Sequence, residues 1–259
     1  MVGYGAETVN AFFIGFIIGV IFEGIYLLIM PHINFIRKVG TVKEGLLSIP
    51  DDKMKKLEFF QRIGNLNYSG YAIDFAFHQP IGSNDLNADS SLPGHIRLNG
   101  RWTEAILNGE EEGEDFVVFV LSFLETLGHE AAHHEHDLTF KDLSHPRGSG
   151  GLIDRYKKFK LYNWVKEIHH DFCGFASIGV SSHDMIDKII AAKVRNLDKK
   201  TLILFPSHPG WGFRKKALKR KRFDSKLIQQ IADEVGCTDT DMINKLSEHF
   251  GCIVLDGAL

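Results

Sequence analysis

Residues 114–136, EDFVVFVLSFLETLGHEAAHHEH, decide the fold of this 259-residue chain. Apolar side chains fill the first two thirds of the stretch, which predicts one long helix that is buried on most of its sides. His129, Glu130 and His133 follow near its end in the spacing HExxH. Residues four apart project from one face of a helix, so both imidazoles can bind the same ion while Glu130 lies beside them to hold a water molecule. The pattern predicts a zinc site on this helix.

A hydrolytic zinc site needs a third protein ligand and keeps its fourth position for water, whose pKa then falls to about 7. Glu130 can take a proton from that water and return it to the leaving amine of a peptide. The third ligand must come from another element, and residues 164–171, WVKEIHHD, supply candidates on a second predicted helix. We favour Glu167, with His170 and Asp171 as competitors. The second carboxylate of this segment would orient a ligand histidine.

At these motifs the chain resembles a known family. HEAAH, followed about thirty residues later by E-x-x-x-D, is similar to the gluzincin peptidases related to the HtpX membrane proteases and the type I CAAX prenyl proteases. Residues 87–88 (NA) and 94–98 (GHIRL) resemble the family's Asn-Ala and the glycine-led edge strand that precede its zinc helix. Residues 207–209 (SHP) with Arg214 resemble its Ser/Thr-His-Pro…Arg segment. The resemblance covers roughly residues 85–215.

The resemblance implies a role for each matching residue. Three side chains would bind the zinc ion, namely His129, His133 and Glu167. Glu130 would be the catalytic base. Three further side chains would support the ligands or the transition state, namely Asp171, His208 and Arg214. An edge strand would line the substrate cleft and pair with an extended peptide, and it would contain Gly94, His95, Ile96 and Arg97. The chain departs from the family in two ways: His169-His170 replaces a small residue, and only one membrane span is visible where close relatives have several. The substrate of those relatives therefore does not carry over.

The most apolar stretch is residues 11–30, AFFIGFIIGVIFEGIYLLIM, in which Glu23 is the only charge. Twenty helical residues span about 30 Å, the thickness of a hydrocarbon core, and the thirteen Ile, Leu, Phe and Val residues outweigh one acidic residue. Arg37, Lys38 and Lys43 follow the stretch, whereas no basic residue precedes it. The positive-inside rule therefore predicts a membrane anchor with the catalytic part in the cytoplasm. The alternative is a soluble cytoplasmic protein in which this helix is buried.

Charge and cysteine content exclude several classes of protein. Thirty Lys and Arg against 33 Asp and Glu give a net charge of −3, so the chain lacks the global basic surface that binds nucleic acid by charge alone. Its three cysteines contain no CxxC pair, which argues against a thiolate zinc site and fits a reducing compartment. The basic run 214–222, RKKALKRKR, is typical either of a solvated helix or of attraction to anionic lipid.

We therefore expect an α+β, mainly helical protein with a zincin-like core made of the HExxH helix, a short edge strand and a ligand helix. The expected domains are a hydrophobic helix (1–35), a zinc metallopeptidase domain (36–223) and a helical hairpin packed on the core (224–259). The expected activity is zinc-dependent endopeptidase, with one Zn²⁺ per chain and a zinc-bound water activated by Glu130. Its partners would be a protein or peptide substrate and a membrane, without nucleic acid. The alternative is a non-catalytic zinc-binding regulatory protein with a helix-turn-helix-like tail.

Overall fold

The computed structural model of the protein describes five ranges of the chain, namely residues 49–76, 86–110, 115–138, 151–194 and 208–256. The chain divides into two compact units, Met1–Pro50 and Asp51–Leu259, and every helix and strand described below belongs to the second. The apolar stretch 11–30 lies outside the described residues. Within those five ranges, no helix combines the length and the apolar character needed to cross a bilayer.

The described ranges contain eight helices: α1 (Asp51–Asn67), α2 (Gly100–Leu107), α3 (Phe116–His136), α4 (Leu152–Ser177), α5 (His183–Lys193), α6 (Trp211–Leu218), α7 (Ser225–Val235) and α8 (Thr240–Phe250). They also contain five short strands: β1 (Ala72–Phe75), β2 (Ala88–Asp89), β3 (His95–Leu98), β4 (Arg222–Phe223) and β5 (Ile253–Val254). The mainly helical α+β class that the sequence predicts is confirmed at this level.

The two long helices, α3 and α4, form the centre of the second unit and follow the predicted apolar periodicity. On α3, Phe123 and Leu127 are completely buried at a spacing of four residues. On α4, Ile168 and Phe172 are completely buried at the same spacing. Each helix therefore has an apolar face that it buries against its neighbours, and this burial stabilises both helices.

Two glycines bring α3 and α4 into close contact. A Cβ atom added to Gly174 would lie 2.7 Å from the backbone oxygen of Glu125, and one added to Gly128 would lie 2.6 and 2.7 Å from two hydroxyl oxygens. At Gly174 the clash is with the backbone, so only a residue without a side chain fits there, whereas at Gly128 an added Cβ would have to displace the hydroxyls of Ser177 and Tyr68. Gly128 directly precedes His129, and Gly174 follows Asp171 by three residues, so this contact sets the distance between the two predicted motifs.

The prediction that residues 94–97 belong to an edge strand was wrong, because β3 is the central strand of its sheet. The strand order is β1-β3-β2; β1 pairs with β3 in parallel over all four residues, and β2 pairs with it antiparallel at Arg97 and Leu98. Burial alternates along β3, since Ile96 and Leu98 are completely buried and the residues on either side of Ile96 are not. That alternation gives the buried face of a strand but not the number of its neighbours.

The C-terminal helices α7 and α8 form a hairpin. Gly236 ends α7 in the left-handed conformation with φ of 70°, and the side chain of Asp239 accepts a hydrogen bond from the backbone N–H of Met242 at the start of α8. At the other end of α8, the Nε2 atom of His249 lies 2.8 Å from the carbonyl oxygen of His136. The last helix therefore contacts the end of α3.

The basic run 214–222 forms α6 and the turn into β4, and most of its charges have acidic partners. Arg214 is buried. The Nζ atoms of Lys215 and Lys219 lie 3.1 and 2.8 Å from the two carboxylate oxygens of Asp187 on α5. These charges attach α6 to its neighbouring helices, which leaves fewer of them for an anionic lipid surface than the sequence alone indicates.

Replacing Gly174 with Ala is expected to destabilise the fold. The added methyl group meets a backbone oxygen of α3, which moves only if the whole helix shifts. We expect a loss of about 1–3 kcal/mol in the free energy of unfolding, as for other overpacked sites. Thermal or denaturant unfolding of the metal-free protein measures it. Gly70→Ala is the control, because no atom lies within 4 Å of its added Cβ. Equal stability of the two variants would contradict the close contact.

Candidate metal centre

The two histidines of the HExxH motif lie side by side in the last two turns of α3. The centroids of the His129 and His133 rings are 5.2 Å apart, as expected for residues separated by one helical turn. His129 and the adjacent Glu130 are both buried. The structure therefore buries His129 and Glu130, and it places both histidines beside residues of α4.

Glu167 on α4 faces both histidines. Its Oε2 atom lies 3.6 Å from Nε2 of His129, and its Oε1 atom lies 3.7 Å from Nε2 of His133. These distances are too long for good hydrogen bonds. They are close to the separation of about 3.4 Å that two ligand atoms have around a tetrahedral ion with bonds of about 2.1 Å. Two imidazole nitrogens and one buried carboxylate are also a donor set that suits zinc, so the residues present fit the ion.

The second ring nitrogen of each histidine is bound by a carboxylate. Nδ1 of His129 lies 3.0 Å from Oδ1 of Asp171, and Nδ1 of His133 lies 3.2 Å from Oδ2 of Asp137. An ionised carboxylate only accepts hydrogen bonds, so each Nδ1–H is the donor. Both Nε2 atoms are thereby turned towards Glu167. Ligand histidines of metal sites are oriented in the same way.

Asp171 is in turn fixed by Arg214 of α6. Nε of Arg214 donates to Oδ2 of Asp171 over 2.7 Å, and its second terminal nitrogen donates to Oδ1. The guanidinium carbon lies 3.9 Å from the centre of the Trp211 ring. Burial disfavours a charged aspartate, but the adjacent guanidinium outweighs it and lowers the pKa of Asp171 to about 2. Asp171 is therefore an oriented anion behind His129.

The buried carboxylates favour a positive charge between them. Burial alone would lower the pKa of His129, yet its hydrogen bond with Asp171 and the nearby Glu167 raise that pKa to about 10. Burial alone would raise the pKa of Glu167, whereas His129 and the cations around it hold that pKa well below its usual range. The site thus stabilises a cation at this point, and a divalent metal ion satisfies the same requirement.

His208 approaches the same carboxylate from the solvent side. Its Nε2 atom lies 3.3 Å from Oε1 of Glu167, and its side chain is 61% exposed. The structure therefore brings together Asp171, Arg214 and His208, the three supporting residues proposed from the sequence, around the two histidines and Glu167.

Residues 94–97, which were expected to line the substrate cleft, make most of their side-chain contacts away from the two histidines of the motif. The carbonyl oxygen of His95 accepts a hydrogen bond from Nε2 of His134 over 3.0 Å, which joins β3 to α3. The side chains of His95 and Arg97 pair with acidic residues of β1 and β2. Gly94 precedes the strand with φ of 74°, and Ile96 is buried in the core. One edge of β3 pairs with β2 at Arg97, so an extended peptide could not pair with that edge at this position.

One residue of the site was not identified from the sequence, and one predicted candidate has an unexpected environment. Asp137 binds His133 although no known motif includes it; its spacing of four residues after His133 is the signal that was available. His170 is completely buried, and neither of its ring nitrogens has a hydrogen-bond partner within the described ranges. Its ring centroid lies 4.1 Å from that of His133. His170 was a predicted competitor for the third ligand, and its burial beside His133 keeps it a candidate.

Within the described ranges, two groups of side chains are compact enough to hold an ion: His129, His133 and His170; and Glu125, His129 and Asp171. In the second group, Glu125 is paired with Lys193 of α5 and Asp171 is paired with Arg214. Because cations already occupy both carboxylates, the second group is a poor metal site. The first group contains His170 and not Glu167, whereas the two oxygens of Glu167 face the Nε2 atoms of both histidines. His170 and Glu167 are therefore the two candidates for the third ligand.

The chain matches no known family model, no curated protein and no solved structure. The likeness to gluzincin peptidases accordingly rests on the sequence motifs alone, of which HExxH and ExxxD are the most specific. The function must be inferred from the arrangement of the side chains around His129 and His133.

Proposed function

We propose that the protein is a zinc-dependent endopeptidase of the gluzincin type, in which His129, His133 and Glu167 bind one zinc ion. The observation that carries this proposal is the convergence of both Nε2 atoms on the two oxygens of Glu167, at 3.6 and 3.7 Å. Three nitrogen and oxygen ligands with a free fourth position are the usual donor set of catalytic zinc. The carboxylates behind the two imidazoles further support it, because they keep the Nε2 atoms free to bind metal.

Glu130 is the residue that moves protons in the proposed reaction. When bound, zinc lowers the pKa of water and polarises the carbonyl group of the peptide. Glu130 takes a proton from the attacking water and passes it to the leaving nitrogen, so that the C–N bond breaks and an amine departs. His208, at the exposed side of Glu167, is available to donate a hydrogen bond to the oxygen that gains negative charge.

A second candidate is a zinc-binding regulatory protein without catalytic activity. The observation that favours it is His170, whose ring nitrogens have no hydrogen-bond partner in the described ranges although the side chain is completely buried. If His170 joins His129, His133 and Glu167 at the ion, four protein ligands close the site and leave no position for water. The two candidates therefore differ in the number of protein ligands.

We also propose that residues 11–30 anchor the protein in a membrane, with the unit Asp51–Leu259 on the cytoplasmic side. The apolar composition of the stretch and the basic residues that follow it support this proposal. Such an anchor would confine the endopeptidase to substrates that reach the membrane surface. The alternative remains a soluble cytoplasmic protein in which the apolar helix is buried.

Glu130→Gln is expected to reduce proteolysis about 10²- to 10⁴-fold and to leave the zinc content unchanged, because it removes the base and none of the ligands. Hydrolysis of casein or of a peptide library, with metal analysis of the same samples, tests this. Glu135→Gln is a matched control on the same helix, since the Glu135 side chain is 59% exposed. Equal activity of wild type and Glu130→Gln would contradict the proposed mechanism.

Glu167→Ala and His170→Ala distinguish the two candidate functions. For the endopeptidase, we expect Glu167→Ala to lose stoichiometric zinc and His170→Ala to retain it, because only Glu167 completes the open site. Loss of zinc in both variants, together with no proteolysis by the wild type, would favour the closed regulatory site. Zinc is quantified after dialysis against a weak chelator.

The membrane proposal predicts that the full chain stays in the membrane pellet through an alkaline carbonate wash. A chain that starts near Lys38 is expected to become soluble and to keep its zinc, because the described helices and strands lie beyond that residue. If residues 11–30 are instead buried in the protein, the full chain is soluble without detergent and the shortened one aggregates. Fractionation of the two chains side by side separates these outcomes.

A further inference from the structure

The two histidines of the HExxH motif are supported in parallel ways. Nδ1 of His129 contacts Asp171, which forms an ion pair with Arg214. Behind His133 stands Asp137, which is also held by a cation, because Nζ of Lys166 lies 3.2 Å from its Oδ2 atom. The ExxxD motif accounts for the first of these arrangements. No motif accounts for the second.

Asp137 reaches His133 because α3 ends there. The backbone N–H of Asp137 still bonds to the carbonyl of His133 over 3.3 Å, while its own φ and ψ of −65° and 125° are extended. The carboxylate thereby lies on the same helix face as His133, one turn further along, with its Oδ2 atom 3.2 Å from Nδ1 of the imidazole. The contact is local and does not depend on a distant segment of the chain.

Lys166 links this contact to the third ligand. It directly precedes Glu167 on α4, and its side chain is only 16% exposed. The helix that brings Glu167 to the histidines therefore also brings the cation that fixes Asp137. On the other side, the His170 ring packs 4.1 Å from the His133 ring, and its Nε2 atom lies 3.5 Å from Oδ1 of Asp137. These neighbours restrict rotation of the His133 imidazole.

We propose that Asp137, fixed by Lys166, is the positioning residue of His133: it holds the proton on Nδ1 and thereby directs Nε2 to the metal ion. The inference rests on the proposed zinc site but not on peptidase activity. Removing a carboxylate behind a ligand histidine typically weakens metal binding 10- to 100-fold. Loss of Asp137 should therefore weaken zinc binding without removing any ligand.

The test measures zinc affinity of the full chain in detergent, by competition with a chromogenic chelator. We expect Asp137→Ala to raise the dissociation constant about 10- to 100-fold. Asp137→Asn keeps an acceptor oxygen for Nδ1–H and should recover part of the affinity. Lys166→Met leaves the carboxylate in place but frees it to rotate, so we expect a smaller loss. Asp187→Asn is the matched control, because this aspartate is also paired with lysine but contacts no histidine in the pairs described above.

A spectroscopic measurement separates positioning from a general effect on the fold. We expect the ligand-field bands of the Co²⁺-loaded protein to change in Asp137→Ala and to stay unchanged in Asp187→Asn, while the metal-free proteins unfold at the same temperature. Should Asp137→Ala fail to fold, Lys166→Met in the same assay decides. If Asp137→Ala binds zinc as tightly as the wild type, the positioning role of Asp137 is overturned, while the metal centre itself is not. The same holds for Lys166→Met if that variant has to replace Asp137→Ala. Absence of zinc binding by the wild type would overturn the metal centre with it.

Discussion

The close contact of α3 and α4 at Gly128 and Gly174 is the constraint on which the rest of the site depends. Helices in proteins usually pack with their axes about 8–10 Å apart, at a distance set by the side chains between them. Here a single methyl group at either glycine would collide with the opposite helix. Because HExxH lies on one helix and ExxxD on the other, an ion can bind both only when the backbones approach this closely. The glycines thus belong to the site although they offer it no donor atom.

Buried ion pairs surround this contact. Glu125 of α3 pairs with Lys193, and Asp171 of α4 pairs with Arg214, so α5 and α6 each supply a cation to the two long helices. A buried pair is a weak source of stability, since removing two charges from water costs about as much as their attraction returns. Its value lies in orientation: a carboxylate held by a fixed cation cannot turn away from an imidazole. The later helices of the chain therefore have an electrostatic role in the site as well as a packing role.

Sequence patterns predicted the long helices and the residues that converge between them, but they missed the neighbours of β3 and of the basic run. Apolar periodicity predicted α3 and α4, and the spacing within each motif predicted which of their side chains face the same way. The central position of β3 was missed because alternation in residues 95–98 carries no information about β1. The basic run 214–222 was assigned to solvent or lipid because its acidic partners lie elsewhere in the chain, as Asp187 does for Lys215. Asp137 was missed for a different reason: its spacing was visible, but no motif drew attention to it.

The hydrogen bond between His249 and the carbonyl of His136 has a consequence for biosynthesis. Chains are made from the N-terminus at about 5–20 residues per second, and α3 emerges long before α8. The last turn of α3 obtains this partner only after residue 249 has been added, and His129 obtains its Asp171–Arg214 support only after residue 214. A nascent chain therefore carries both histidines of the candidate site well before these supports exist. The last contacts that orient the two imidazoles form only after most of the chain has been made.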